Sequence, residues 1–176
     1  MSGRCTVDTM VELLAAQPFL KGLTEHQFGL LAPLAHRSMF HAGNRVFHEG
    51  SPADRFWIIT EGRVELDTEV PGYENLVIET LEGGSVLGWS WMFPPYRWHF
   101  GATAVATTYT ITFNGALVTA LCQRDPALGY DLSMRFLQVM GDRLQTTRMR
   151  LARFHRNVGR RISDVPAGWP RPANGE

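Results

Sequence analysis

The first part of the chain places its apolar residues at helical spacing. Intervals of three and four residues separate many of them: Val7, Met10, Val11, Leu14, Phe28, Leu31 and Leu34. Pro18 and Gly22 interrupt this pattern, and Thr24 followed by Gln27 three residues later is typical of a capping box at a helix start. The pattern predicts two short helices within residues 7–34.

From residue 36 to residue 113 the pattern changes to short apolar runs separated by Gly, Pro, Asn and Asp. Runs such as FWIITEG and NLVIETL recur at about ten-residue spacing, which predicts roughly six to eight strands in an antiparallel sandwich or roll. Gly43 and Gly62 lie between strand-like runs. A tight reversal there needs a positive φ angle, which only glycine adopts without cost.

After the strands the helical period returns. Asn114 is the predicted N-cap of a short helix that runs through Leu121, and a long helix is predicted from Pro126 to about Val158. Its apolar and small residues alternate between three- and four-residue steps: Leu137, Met140, Leu144, Thr147, Leu151, Phe154 and Val158. This heptad seam predicts a dimerisation helix that pairs in a homodimer. The alternative is that the stripe covers the strands of its own chain.

Together these segments predict an α+β protein with one domain over residues 1–158. We expect N-terminal helices within 7–34, an antiparallel β-roll over 36–113, and helices over 115–158 that end in the long dimerisation helix. Residues 159–176 are rich in Pro and Gly, and we expect them to form a disordered tail. The apolar share of 44% and the charged share of 19% exclude a chain that is disordered throughout.

The balanced formal charge hides an asymmetry along the chain. Residues 1–123 hold 7 basic and 12 acidic side chains, whereas residues 124–176 hold 10 and 5. The excess is concentrated in arginines of the long helix: Arg143, Arg148, Arg150, Arg153, Arg156, Arg160 and Arg161. This Arg-rich helix end is either a docking site for a protein partner or a solvated helix face, with nucleic acid a minor alternative.

Several classes of protein have no support in the sequence. Cys5 and Cys122 are far apart, no signal peptide is visible and no apolar run reaches the ~20 residues of a membrane span, so we expect a cytoplasmic protein without a membrane segment. The histidines lack metal-ligand spacing, and nucleophile-elbow and phosphate-binding loop motifs are absent. We therefore expect neither an enzyme nor a bound metal or cofactor.

Residues 39–66, MFHAGNRVFHEGSPADRFWIITEGRVEL, resemble the opening half of the cyclic-nucleotide-binding domain. Gly43, Gly50, the turn of residues 51–54 and Gly62 stand where that family has its turns. The resemblance extends over roughly residues 15–158 and implies a β-roll that binds cAMP or cGMP and regulates a partner. Transcription factors of this family carry a helix-turn-helix after the long helix. Few residues follow Arg161, so we do not expect sequence-specific DNA binding.

The resemblance also implies where a ligand would bind. The turn at Gly88 would receive the cyclic phosphate on the backbone amides of Trp89, Ser90 and Trp91. Trp89 stands where the family has a glutamate that accepts from the ribose hydroxyl, and an indole cannot accept a hydrogen bond. In the long helix, Thr147 matches a threonine that contacts the base in this family. It could equally be a packed residue of the seam.

The position of the phosphate-binding arginine is ambiguous. Arg97 follows Gly88 by nine residues, near the place that the family pattern requires, with Thr103 as the nearby hydroxyl. Counting back from the strand at residues 102–106 puts the same place at Phe100. Arg97 therefore either faces an anion or is an exposed loop residue stacked on Trp98 or Tyr96.

Six of the twelve residues from 89 to 100 are aromatic. These side chains either fill the expected pocket or form a stacking surface for a flat ligand. Two functional hypotheses follow. The chain is a small-molecule sensor with a degenerate phosphate-binding segment, or it is a ligand-free homodimeric scaffold that docks on a protein partner.

Overall fold

The structure is a computed structural model that describes residues 2–70, 72 and 75–163. Side chains are described within residues 9–70, at 72, within 75–150 and at 152. The chain divides into two units, residues 1–136 and residues 137–176. The first unit holds the strands and most of the helices, and the second holds the later part of the last helix.

The N-terminal segment forms two helices, as predicted, but the first begins at Ser2, five residues before the predicted start. Helix α1 spans Ser2–Ala15 and α2 spans Glu25–Leu31, with short 3₁₀ turns at Pro18–Leu20 and Ala32–Leu34. The capping box is confirmed, because the Gln27 amide donates to Thr24 Oγ1 at 3.2 Å and the Thr24 amide donates to Gln27 Oε1 at 2.9 Å. These bonds satisfy two amides at the start of α2 that have no partner within the helix.

Within the described residues, eight strands form two antiparallel sheets, which confirms the predicted α+β architecture with a β-roll. The strands are β1 Ala35–Phe40, β2 Arg45–Phe47, β3 Arg55–Glu61, β4 Arg63–Thr68, β5 Leu76–Glu82, β6 Val86–Leu87, β7 Gly101–Ala104 and β8 Thr108–Asn114. One sheet has the order β1-β8-β3-β6, and the other has the order β2-β7-β4-β5. The first sheet therefore has helices on one face and the roll interior on the other.

The alternation of side chains along β3 separates two apolar cores. Phe56 and Ile58 point to the helices, where they pack with residues such as Leu14 and Phe136. Trp57 and Ile59 point into the roll, where they pack with a second group: Val64, Leu66, Leu81, Leu87, Trp98 and Ala102. Because successive side chains of a strand face opposite sides, one strand contributes to both cores.

The hairpin between β3 and β4 requires its glycine. Gly62 has a φ of 101°, and a Cβ atom placed there would lie 2.5 Å from the carbonyl oxygen of Thr107. The predicted positive φ is confirmed at Gly62 and also at Gly43, where φ is 86°. Both turns therefore reverse the chain in a backbone region that other residues rarely adopt.

The last two helices are longer than predicted. Helix α3 spans Gly115–Arg124, with the Asn114 side chain accepting from the Leu117 amide at 3.1 Å as its N-cap, and α4 spans Pro126–Ser163. The helix therefore continues through residues 159–163, which the sequence pattern had placed in the tail. The first proline after Pro126 is Pro166, so no proline interrupts the helix before that point. Residues 164–176 lie outside the described residues.

Within the second unit, three of the four described seam residues are exposed to solvent in the single chain. Leu137 is 55% exposed and Leu144 is 62% exposed, Thr147 is exposed and Met140 is half-buried. The side chains of Leu151, Phe154 and Val158 lie outside the described part of the chain. Among the described helices, none is both long and apolar enough to cross a membrane.

Candidate functional site

The Gly88 turn follows strand β6 and is buried. Its φ is 81°, and a Cβ atom placed there would lie 2.8 Å from Cζ3 and 2.9 Å from Cη2 of the Trp98 ring. The Arg55 carbonyl oxygen lies 3.4 Å from the same point. Only glycine combines this backbone conformation with such a close approach of an indole ring. The space beside Gly88 is therefore occupied by Trp98.

Trp98 belongs to an aromatic stack inside the roll. Its ring lies 4.0 Å from the ring of Phe47 at an interplanar angle of 18°, and Phe47 stacks in turn on Trp57 at 5.5 Å. Trp98 is only 4% exposed. Stacked aromatic pairs contribute about 0.5–1.5 kcal/mol beyond the area that they bury, so the stack holds Trp98 in place.

Backbone hydrogen bonds fix the segment that carries Trp98. The Trp98 amide donates to the Ser51 carbonyl at 2.9 Å, and the Gly50 amide donates to the Trp98 carbonyl at 2.8 Å. One step earlier, the Ala53 amide donates to the Tyr96 carbonyl at 2.8 Å. These bonds align the segment with the turn between β2 and β3 and decide which side chain faces Gly88.

Arg97 does not face the Gly88 turn. It is exposed, and its Nη1 donates to the Gly50 carbonyl at 2.7 Å. Arg97 also pairs with Pro52 in an isolated antiparallel bridge. Because neighbouring residues of an extended segment point to opposite sides, Trp98 turns inward and Arg97 outward.

The three residues after Gly88 make contacts within the protein. Trp89 stacks on His99 at a centroid distance of 5.4 Å, and the buried Ser90 hydroxyl lies 3.0 Å from His99 Nδ1. Trp91 stacks on Phe56 at 5.4 Å and therefore belongs to the core between the roll and the helices. The aromatic side chains of this segment thus fill space around Gly88 and join it to both cores.

Thr103 lies in a different network on the other face of β7. Its hydroxyl accepts from Arg45 Nη1 at 2.8 Å, while Arg45 forms a two-pronged ion pair with Asp67, in which Nη2 donates to Oδ1 at 2.8 Å. The Asp67 side chain is 8% exposed. Gly101 leaves room for this pair, because a Cβ atom there would overlap the Arg45 guanidinium. Thr103 is thus part of a buried ion-pair network and is not brought to Gly88.

Thr147 lies in the second unit, where its side chain is exposed. Of the residues predicted for ligand binding, the structure therefore brings Gly88, Trp89, Ser90 and Trp91 together around one turn. It directs Arg97 and Thr103 away from it. Among the described residues, no group of three or more His, Cys, Asp or Glu side chains could hold a metal ion.

Sequence reasoning assigned no binding role to Phe47 or Trp57, and it considered Trp98 only as one of six aromatic residues that either fill the expected pocket or form a stacking surface. In the structure these three rings pack together inside the roll, beside Gly88. One signal was present for Trp98. In an extended segment every second side chain faces the same side. Counting back in steps of two from the buried Ala104 and Ala102 gives Phe100 and then Trp98, which predicts that Trp98 faces the roll interior. Phe47 and Trp57 come from separate strands, and their sequence patterns show only that they are apolar.

Comparison with known proteins identifies related sequences. Residues 37–125 match the family model described as the cyclic nucleotide-binding domain. Over 145 residues the chain is 28% identical to a CRP-like cAMP-activated global transcriptional regulator of Mycobacterium tuberculosis, and the match covers 81% of this chain and 62% of that protein. The chain therefore spans less than two thirds of the length of this curated relative.

Solved structures with the same architecture include two bacterial proteins. A putative cyclic nucleotide-binding protein from Geobacter metallireducens GS-15 is 26% identical, with a TM-score of 0.68, and the match covers 76% of this chain and 96% of that chain. A cyclic nucleotide-binding domain from Methylobacillus flagellatus KT is 17% identical, with a TM-score of 0.71, and the match covers 83% of this chain and 82% of that chain. The second likeness concerns the fold alone.

Proposed function

Because the chain belongs to the cyclic nucleotide-binding domain family, we propose that it is a small-molecule sensor that does not hold the phosphate of cAMP or cGMP in the Gly88 turn. The observation that carries this proposal is the Trp98 ring packed on Gly88. In the family resemblance, that turn is where the cyclic phosphate binds. Here the rings of Trp98 and Phe47 take up the space beside it.

Two further contacts of the family's ligand are missing at this turn. Trp89 has no acceptor for a ribose hydroxyl, and Arg97 donates to a backbone carbonyl instead of an anion. A hydrogen bond to a charged group is worth about 1.5–3 kcal/mol, which corresponds to roughly ten- to a hundredfold in affinity for each bond lost. The missing contacts and the closed space both weaken the binding of a cyclic nucleotide at this turn.

A regulatory role is favoured over catalysis. The related proteins named above are described as a transcriptional regulator and as cyclic nucleotide-binding proteins. The residues around Gly88 contribute stacked rings and one Ser–His hydrogen bond, with no nucleophile paired to a base that is oriented by a third group. We infer that the domain acts by presenting a surface to a partner.

A homodimer belongs to this proposal. The exposed residues Leu137 and Leu144 lie on one stripe of α4 and would be buried against the same stripe of a second copy. The ligand-free scaffold remains the second candidate, since a closed Gly88 turn and an exposed seam suit a domain that only assembles. The Arg-rich helix end stays a predicted docking site for a protein partner, and binding of sequence-specific DNA is not proposed.

Isothermal titration calorimetry with cAMP and cGMP tests the central claim. We expect no binding heat from the parent protein up to about 1 mM of either nucleotide. The double variant Trp89→Glu with Trp98→Arg restores an acceptor and a cation and empties the stack, so we expect it to gain binding, while Trp89→Glu alone does not. Tight 1:1 binding of cAMP by the parent that also survives in the variant Phe40→Ala would refute the proposal.

A further inference from the structure

A separate cavity of about 440 Å³ lies among β1, β2, β3 and β8 and the turn between β2 and β3. Gly88 and Ser90–Met92, which form a short 3₁₀ turn after it, do not line this cavity. Trp98 and Phe47 do, so the stack that closes the space beside Gly88 also forms a wall of the second cavity. The volume lies in the range of sites for small molecules.

The cavity has an aromatic wall formed by four side chains: Phe40, Phe47, Trp57 and Trp98. Phe40 and Phe47 are half-buried, and both contact the ring of Trp57, at centroid distances of 6.3 Å and 5.5 Å. Rings held by such contacts keep their orientation. A flat aromatic molecule gains both area burial and ring stacking in this setting.

Hydroxyl groups line the cavity where β1 and β8 pair. Ser38 Oγ and Thr112 Oγ1 are 2.6 Å apart, and both side chains are half-buried. In a pair of hydroxyls only one hydrogen is used between them, so the second hydroxyl hydrogen and the remaining lone pairs can serve another molecule. A ligand with ring nitrogens or small polar substituents matches this edge.

The charged residues at the rim neutralise each other. Arg55 Nε and Nη2 donate to Asp54 Oδ1 and Oδ2, each at 2.8 Å, and both residues line the cavity. His48 is the other titratable group among the lining residues. An ion pair of this kind attracts neither anions nor cations strongly, so a ligand without charge is the better match.

We propose that this cavity binds an uncharged, flat heteroaromatic molecule of nucleobase or nucleoside size. The half-buried rings of Phe40 and Phe47 would stack on it, with the buried rings of Trp57 and Trp98 supporting Phe47, and the hydroxyls of Ser38 and Thr112 would orient it. The inference rests on the proposed sensor function, for which it names the class of ligand. The cavity is distinct from the Gly88 turn, where the family resemblance places a cyclic phosphate.

Calorimetric titration of the full chain with adenosine and with indole tests this proposal. We expect saturable binding of at least one of these probes at one molecule per chain. Phe40→Ala removes a wall and should weaken binding at least about fivefold, whereas Met39→Ala should leave it unchanged, because Met39 is exposed on the opposite face of β1. Absence of binding by both probes, or equal binding by the two variants, would overturn the proposal.

A second variant tests the neutral rim without touching the aromatic wall. In the parent we expect adenosine to bind more tightly than 5′-AMP. Asp54→Asn leaves Arg55 without its partner and should shift this preference toward 5′-AMP by about threefold, a typical strength for an exposed ion pair. Glu82→Gln unpairs Arg63 in another exposed ion pair that does not line the cavity, and it should cause no shift. A parent that prefers 5′-AMP would overturn the proposed ligand class.

Failure of this inference and failure of the proposed function give different results. Tight binding of cAMP that survives Phe40→Ala would refute the closed Gly88 turn. Absence of adenosine and indole binding, together with absence of cAMP binding, would refute the second cavity as a ligand site and leave the closed Gly88 turn unaffected. The ligand-free scaffold would then replace the sensor.

Discussion

The indole ring of Trp98 lies directly against the backbone of Gly88, so close that a Cβ atom on Gly88 would be 2.8 Å from the ring. The two residues are ten positions apart in the loop of residues 88–100 between β6 and β7, and they meet in the interior of the roll. The proposal that the Gly88 turn does not hold a cyclic phosphate rests on this contact.

Substitution of Gly88 by Ala should destabilise the protein by about 2–4 kcal/mol, through its positive φ and through overlap with Trp98. Gly43→Ala is the matched control, since Gly43 has a similar φ of 86° but no atom within 4 Å of its Cβ position. That control should cost only about 1 kcal/mol. Urea unfolding measures both, and equal losses would show that the contact with Trp98 contributes nothing.

Asp67→Asn removes a buried carboxylate and should lower the free energy of unfolding by about 3 kcal/mol. The Arg45 guanidinium, which lies among β2, β4 and β7, would then have no charged partner. Asp54→Asn breaks an exposed pair with the same two-pronged geometry and should cost less than about 1 kcal/mol. Chemical denaturation of both variants gives the comparison. Similar losses would mean that burial of the Arg45–Asp67 pair is unimportant.

Replacement of both partners should be less harmful than the single change. In the double variant Arg45→Met with Asp67→Leu, no charge is left buried, so we expect it to be more stable than Asp67→Asn. The same denaturation assay decides this. A double variant that is less stable than Asp67→Asn would show that the ion pair itself stabilises the fold, and that the unpaired Arg45 charge is not the main cause of the loss.

The exposed ion pair between Asp54 and Arg55 should make a small, pH-dependent contribution to the free energy of unfolding. Its hydrogen bond to Arg55 lowers the pKa of Asp54 below its ordinary value. A carboxyl whose pKa is lower in the folded state stabilises that state above the unfolded-state pKa, and the contribution disappears as pH falls through the folded pKa. The difference in unfolding free energy between parent and Asp54→Asn should therefore be present at pH 7 and absent well below about pH 4.

The proposed dimer predicts that Leu144→Glu converts the protein to a monomer, because each chain would place a charge in the apolar seam. Gln145→Glu adds the same charge at a neighbouring exposed position outside the seam and should leave the dimer intact. Light scattering after gel filtration distinguishes the two states. A parent protein that is already monomeric would remove the dimer from the proposal.

Local patterns in the sequence were sufficient for much of the fold. The capping box at Thr24 and Gln27, the N-cap at Asn114 and the hairpin glycine Gly62 each depend on residues within a few positions, and each is confirmed. The number of strands and the family resemblance also followed from short runs and glycine spacing. The predicted end of α4, at about Val158, is too early, because the helix continues to Ser163. No proline marks the end of the helix, and the prediction of a tail there rested on composition alone.

The state of the candidate site depended on contacts between distant segments. Sequence could count nine residues from Gly88 to Arg97, but backbone hydrogen bonds with residues 50, 51 and 53 set the register of that loop and turned Trp98 inward. The pairing of Arg45 with Asp67 and the second aromatic cavity likewise join strands that are far apart in the chain. The sequence by itself determined the helices, the strands and the family, since these depend on patterns among residues close together in the chain. The tertiary structure decided which side chain fills the site, since the register of the loop is fixed only by hydrogen bonds to residues far away in the chain.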